Sequence, residues 1–242
     1  MSRFLSRLSL VLFLVTVFGT FTKAQWRLEL SGGANINHHQ CEQGYAYDRK
    51  FSPDVGFNFA LASQYNFYDW IGLKFALYGI QRSYKLNTTI LSDAYQYKNL
   101  YALVPILVSF SFGGKQIRGF CNLGGYAGYW LSGHYNYNIS TLNYISDRME
   151  GKEKIRFNNK RDRRIDAGLA AQLGIQYVNS KTNIFISLGT FMYYGLVNSH
   201  KATSKYFKQP AFDSNIGFEL GIGYLFKQNN KLVKGNQNDN SL

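Results

Sequence analysis

The sequence predicts an all-β fold: an eight-stranded antiparallel transmembrane outer-membrane β-barrel with short periplasmic turns and long extracellular loops. Three observations predict it. Large apolar residues recur at every second position through most of 25–226, and the connections between these runs alternate short and long. The composition couples 19 Tyr, 19 Phe and 23 Gly with only 3 Pro in 242 residues. A mean hydropathy of −0.24 excludes a bundle of membrane helices. It does not exclude a barrel, whose alternating faces average to a soluble-looking value.

Residues 1–24 are set apart as a signal peptide. Arg3 and Arg7 make a basic start, Leu8 to Phe21 is a mostly apolar run, and Thr22-Lys23-Ala24 fits a small-x-small cleavage site. The run is shorter than the roughly 20 residues of a spanning helix. Gln25 and Trp26 follow the cut, so no cysteine is offered for a lipid anchor. Removing the segment takes three bases, and the net charge falls from +13 to +10. Export permits disulfides, but Cys41 and Cys121 are too few for a disulfide scaffold. Their spacing matches no metal pair, and no metal or cofactor is expected.

Eight strands are predicted, at about 26–36, 54–65, 70–84, 97–112, 117–133, 164–178, 183–197 and 212–226. The first alternates Trp26, Leu28 and Leu30 with Arg27, Glu29 and Ser31. The second sets Val55, Phe57, Phe59 and Leu61 against Gly56, Asn58, Ala60 and Ala62. The third sets Ile71, Leu73, Phe75 and Leu77 against Gly72, Lys74 and Ala76. The fourth contains Pro105, which removes a ladder donor, so a bulge or a register adjustment is expected there. In the fifth, Leu123, Tyr129 and Leu131 oppose Asn122, Tyr126 and Trp130. The last three repeat the scheme, with Asp166 and Gln172, Ser187 and Gly189, and Gly217 and Glu219 on their small or polar faces.

A soluble sandwich buries its large face. Here the large face is continuous in every strand, which suits lipid outside, while the small face suits a narrow interior. The links 66–69, 113–115 and 179–182 are short, and those at 37–53, 85–96, 134–163 and 198–211 are long. Short links on one side and long ones on the other match periplasmic turns and extracellular loops. An even strand number then leaves both termini periplasmic. The domain plan is signal peptide 1–24, barrel 25–226 and a flexible polar periplasmic tail 227–242.

With these faces, Arg27, Glu29, Lys74, Arg118, Asp166 and Glu219 point inward, three bases and three acids, as a closed ion-pair network requires. An interior plugged by side chains is expected, rather than a small-solute pore. Lys152, Lys154, Arg156, Lys160, Arg161, Arg163 and Arg164 crowd the third long loop, beside Glu153 and Asp162. They read as a solvated basic loop or a docking surface for an acidic partner or polysaccharide. No nucleic-acid module is present. His38, His39, His134 and His200 fall on three different connections, and no Ser/His/Asp set, Walker loop or dinucleotide fingerprint appears. No catalytic, cofactor-binding or metal residue is assigned, and enzyme activity is not expected.

Three segments carry a family resemblance: Tyr101 to Val108, YALVPILV; Asn122 to Leu131, NLGGYAGYWL; and Asp166 to Gly174 with Leu188 to Asn198, DAGLAAQLG and LGTFMYYGLVN. Together they resemble the PorT-like outer-membrane barrels of Bacteroidota. The acidic residue frequent before that family's strand-4 proline is not matched, since Leu103 and Val104 stand there. The resemblance implies a non-enzymatic barrel needed for, or accessory to, protein export by the type IX secretion system. Its partners would be outer-membrane lipids, the barrel-assembly machinery and other secretion components. The alternatives are a general structural or ligand-binding barrel with a basic extracellular loop, and a small-solute pore.

Overall fold

The computed structural model describes residues 25–41, 49–88, 94–140, 148–157, 163–197 and 211–226. The predicted signal peptide and the predicted polar tail lie outside these residues. Nine strands are present: β1 (Gln25–Cys41), β2 (Arg49–Asn66), β3 (Ile71–Thr88), β4 (Ala94–Gly113), β5 (Ile117–Ser140), β6 (Arg148–Lys154), β7 (Ile165–Asn179), β8 (Ile184–Gly195) and β9 (Ala211–Phe226). They form one antiparallel sheet in the order β4-β3-β2-β1-β9-β8-β7-β5-β6, and β4 also pairs with β5.

This corrects the plain eight-stranded barrel. A ninth strand, β6, occupies part of the region expected to be the third long loop, and it pairs only with β5 among the described residues. The sheet is therefore not a uniformly closed cylinder. The reason is visible in the register along β5. His134 to Ser140 pair with β6 and Ile117 to Tyr129 pair with β7, both on the same side of β5. At the junction Ile155 N–H donates to the Gly133 carbonyl at 2.8 Å, and Trp130 N–H donates to the Arg164 carbonyl at 2.8 Å. Only Leu131 and Ser132 lie between these two bonds on β5. One strand path along β5 is thus divided into β6 and β7.

The strands also run further than expected at their long-link ends. β5 reaches Ser140 rather than 133, and β2 starts at Arg49 rather than 54. Past the apolar belt the outward row becomes Gln81, Lys85 and Asn87 on β3 and Lys98 and Gln96 on β4, so alternation fades although the hydrogen-bond ladder continues.

The face assignment holds. Leu30, Phe59, Leu77, Leu123, Leu173, Leu188, Phe218 and Leu220 stand exposed on the outer surface, while Asn58, Ala60, Lys74, Asn122, Gln172, Ser187 and Glu219 are buried. An apolar belt of this extent is stable only against hydrocarbon. Aromatic rings gather at the short-link end, where Trp26 and Tyr65 lie 4.9 Å apart, Tyr65 and Phe67 5.1 Å, and Tyr224 and Phe226 4.9 Å. Such rings suit a membrane–water interface, one end apolar and one end wet.

Pro105 is accommodated without a change of register. The β3–β4 ladder pairs Phe75 with Ile106 and Tyr78 with Leu103, and lapses between them beside Pro105. The register shifts fall elsewhere, between Asp54 and Asn58 against β3 and at Leu100/Tyr101 against β5. The short links are tight. Gly113 takes φ +112°, a conformation open to glycine, as Gly114 N–H donates to the Ile117 carbonyl at 2.9 Å. Asn183 takes φ 58°, which asparagine tolerates, before β8 starts.

Leu220 lies within the outward row of β9. Leu220→Arg is expected to cost about 2–4 kcal/mol, read by urea titration of the protein folded into lipid vesicles, whereas Leu220→Phe is expected to be nearly neutral.

Candidate functional site

The interior is a polar network threaded with rings, and β3 supplies its spine. Lys74, Tyr78 and Arg82 sit four residues apart on one face of this strand and reach across the lumen. Lys74 Nζ meets Glu29 Oε2 at 2.9 Å, and Ser187 Oγ donates to the other oxygen of Glu29. Gly221 stands beside them. A Cβ there would lie 2.4 Å from Ser187 Oγ and 2.5 Å from Glu29 Oε1, so the carboxylate has room only because the position is glycine. Nearer the short-link end, Arg27 donates to Gln176 at 3.2 Å.

Tyr78 occupies the middle. Its hydroxyl donates to Glu219 at 2.8 Å and accepts from Gln172 Nε2 at 2.6 Å, and Asn122 donates to Gln172 at 2.9 Å. Ser31 adds a bond to Glu219 at 3.4 Å. The Tyr78 ring packs on Tyr193 at 5.7 Å and Phe191 at 6.1 Å, both from β8. In the pairing order β8 lies on the far side of the lumen from β3.

Arg82, 1% exposed, anchors the third level. It meets Asp166 at 2.7 Å and Asp213 at 3.7 Å, and its guanidinium carbon lies 4.6 Å from the centre of the Tyr101 ring. Tyr126 donates to Asp166 at 3.1 Å and packs on Tyr193 at 5.2 Å, which ties this level to the one below. The two carboxylates and two rings leave this cation paired and covered.

Five of the six charges expected inside, Arg27, Glu29, Lys74, Asp166 and Glu219, belong to this network. Arg118 stands apart, half-buried at the short-link mouth, where it donates to the Asp69 carbonyl at 2.9 Å. Arg82 and Asp213 are additions the sequence reading missed, one of each sign, so the network holds three bases, Arg27, Lys74 and Arg82, and four acids, Glu29, Asp166, Asp213 and Glu219. Parity could have found both. Arg82 shares its face with Lys74 but is masked by Ile80 between them, and Asp213 shares its face with Asn215 and Glu219. The interior is also bulkier than a small-residue face implies, since Tyr78, Tyr101, Tyr126, Phe191 and Tyr193 are buried in it.

The long-link end has a different character. Arg164 bonds the Trp130 carbonyl through Nε at 3.1 Å, and its guanidinium carbon lies 4.5 Å from the Tyr129 ring centre and 4.3 Å from that of Phe157. It is therefore a structural clip at the β5–β7 junction rather than a free loop base. Lys152 and Lys154 belong to β6, and Arg156 and Arg163 are exposed. Lys160, Arg161 and Asp162 lie outside the described residues. Tyr84 stacks on Tyr97 at 4.8 Å, and Tyr97 packs tilted against Tyr135 at 5.8 Å. Tyr135 donates to Glu153 at 2.5 Å, which pushes its hydroxyl pKa up to about 12. His38 and His134 remain on separate strands, and His200 and the side chain of His39 lie outside the described residues. Among the described residues, no group of three or more His, Cys, Asp or Glu is placed to hold a metal ion.

The family described as "Outer membrane protein beta-barrel domain" matches residues 20–201. No curated protein matches the chain. Among solved structures, Ail, the attachment invasion locus protein of Yersinia pestis, is similar at 18% identity, with 83% of this chain and 98% of that chain covered and a TM-score of 0.40. OprG from Pseudomonas aeruginosa aligns at 12% identity over 85% and 98%, with a TM-score of 0.49. Neisserial surface protein A aligns at 11% over 84% and 99%, with a TM-score of 0.38.

Arg82→Leu leaves Asp166 and Asp213 buried without their guanidinium and is expected to destabilise the fold by about 3–5 kcal/mol. Urea unfolding in vesicles measures it. The double variant Arg82→Leu/Asp166→Leu should cost less than the sum of the two single changes, because it removes both ends of the closest pair.

Proposed function

The chain belongs to the outer membrane protein β-barrel domain family, and on that premise we propose that it is a non-enzymatic barrel that binds an extracellular ligand at its outer end rather than conducting solute. It spans the outer membrane repeatedly, with the short links on the periplasmic side and the long links outside. One observation carries the reading. The interior is filled from Arg27 to Arg82 by paired charges and packed rings, whereas the strand extensions beyond the apolar belt expose polar and basic side chains. Chemistry available to a partner therefore sits outside, on β3 to β6 and at the exposed Arg156 and Arg163. Outer-membrane lipids and the barrel-assembly machinery are the general partners of such a protein.

A second reading has a specific support of its own. Tyr101 to Val108, Asn122 to Leu131 and Leu188 to Asn198 resemble PorT-like barrels, and on that basis the protein would serve type IX secretion as an accessory, contacting other export components. A clean deletion separates the two. Loss of secretion of sorting-domain cargo would establish the second reading, and normal secretion with reduced binding of cells to an acidic surface would establish the first.

Replacing residues 156–163 by a two-residue link should join β6 to β7 as one strand, since only Leu131 and Ser132 lie opposite. The variant is expected to keep the heat-modifiable gel mobility of a folded barrel and to lower cell adhesion to acidic surfaces severalfold. Planar-bilayer recordings of the unaltered protein are expected to show no steady conductance.

A further inference from the structure

At the outer ends of β3 to β6 lies a cleft of about 670 Å³. Its lining is set by register. Lys85 on β3 faces Gln96 on β4, Gln96 faces Asn136 on β5, and Asn136 faces Lys152 on β6. One residue further out, Asn87, Ala94, Asn138 and Glu150 form a parallel row across the same four strands. The first row is thus a pair of amides bracketed by two cations. Strands stand about 4.8 Å apart, so the lysine positions are separated by roughly 14 Å. Ala94 is the small residue in the second row and opens its centre, and the Tyr95 and Tyr137 residues border the cleft.

The row is held in place. Asp54 accepts from Gln96 at 2.6 Å and meets Lys85 at 3.6 Å, while Asn136 donates to Gln96 at 3.2 Å. Glu150 is engaged by Asn138 at 2.9 Å, which ties the cleft's acid to its own neighbour. Lys152 is exposed, and the Lys85 side chain is 51% exposed, so both can reach a ligand. Side-chain amides donate and accept at once, which suits a hydroxyl-rich surface, and ammonium groups attract carboxylates as point charges.

We infer that this cleft binds a short acidic oligosaccharide, with sugar hydroxyls on the Gln96–Asn136 amides and a carboxylate toward each of Lys85 and Lys152. The inference deepens the ligand-binding reading above and rests on it. It concerns the strand wall alone and does not involve residues 156–163.

The test uses the full mature chain folded in detergent micelles, titrated calorimetrically with trigalacturonate, its fully methyl-esterified form and triglutamate. Trigalacturonate is expected to bind at least tenfold more tightly than either of the others. Lys152→Gln should weaken it several-fold and Lys85→Gln/Lys152→Gln at least tenfold. Ala94→Trp, which fills the opening, should abolish binding while heat-modifiable mobility stays normal. Equal binding of the ester would overturn the inference, as would equal binding of triglutamate, no binding at all, or indifference to Ala94→Trp. Cells provide the separation from the wider reading. If Ala94→Trp cells adhere to acidic surfaces like the wild type while deletion cells do not, this cleft is wrong and the ligand-binding reading stands. If deletion cells adhere normally, that reading fails whatever the cleft binds in vitro.

Discussion

A backbone in hydrocarbon has no water to bond, so each N–H and C=O must find a partner inside the sheet. The rest of this molecule follows from that constraint. It makes β4 pair with β5 as well as with β3, and it makes the sheet curl until side chains of β3 touch β7, β8 and β9. It also explains how Pro105 is tolerated. The missing donor falls where the β3–β4 ladder lapses, while its other side stays paired, Pro105 opposite Tyr126. A register slip there would have turned every outward residue beyond it to the wrong face. A local lapse costs far less than that.

Curling creates the second problem, a narrow interior that must be filled. Small side chains on every inward position would leave voids, so rings from β3, β4, β5 and β8 occupy the axis. Polar groups that enter must be paired, because an uncompensated buried charge costs several kcal/mol. The solution is tiered. Lys74 with Glu29, Tyr78 with Glu219 and Gln172, and Arg82 with Asp166 and Asp213 lie at successive levels, the last two joined by Tyr193. Each tier draws on strands far apart in sequence, so the network fastens the wall across its diameter. The outer end is free of this demand. There the sheet outruns the membrane, its faces turn polar, and a strand path can break into β6 and β7 without exposing the ladder to lipid.

Much of this was legible beforehand. The outward rows of β1, β2, β7, β8 and β9, the three short links and the inward position of Arg27, Glu29, Lys74, Asp166 and Glu219 follow from a two-residue period. Arg82 was not legible because Ile80 interrupts the polar face, and β6 was not because RMEGKEK carries no apolar alternation at all. The strand count failed for the same reason. Outside hydrocarbon the pattern loses its physical cause, and a ladder of polar residues resembles a loop. The cleft row of Lys85, Gln96, Asn136 and Lys152 was hidden too, since its members are scattered over 68 positions of sequence.

By itself, then, the sequence determined which residues meet lipid, which turn inward, and which connections are short, because all three are local consequences of side-chain alternation and turn chemistry. Only the tertiary structure decided which inward charge meets which, where the sixth strand path breaks, and which four polar residues stand in one row. Those outcomes depend on register between strands distant in the chain, and on how the sheet curls around its contents. Neither has a local signature, because a pairing partner is chosen by the whole wall and not by the residue's own neighbours.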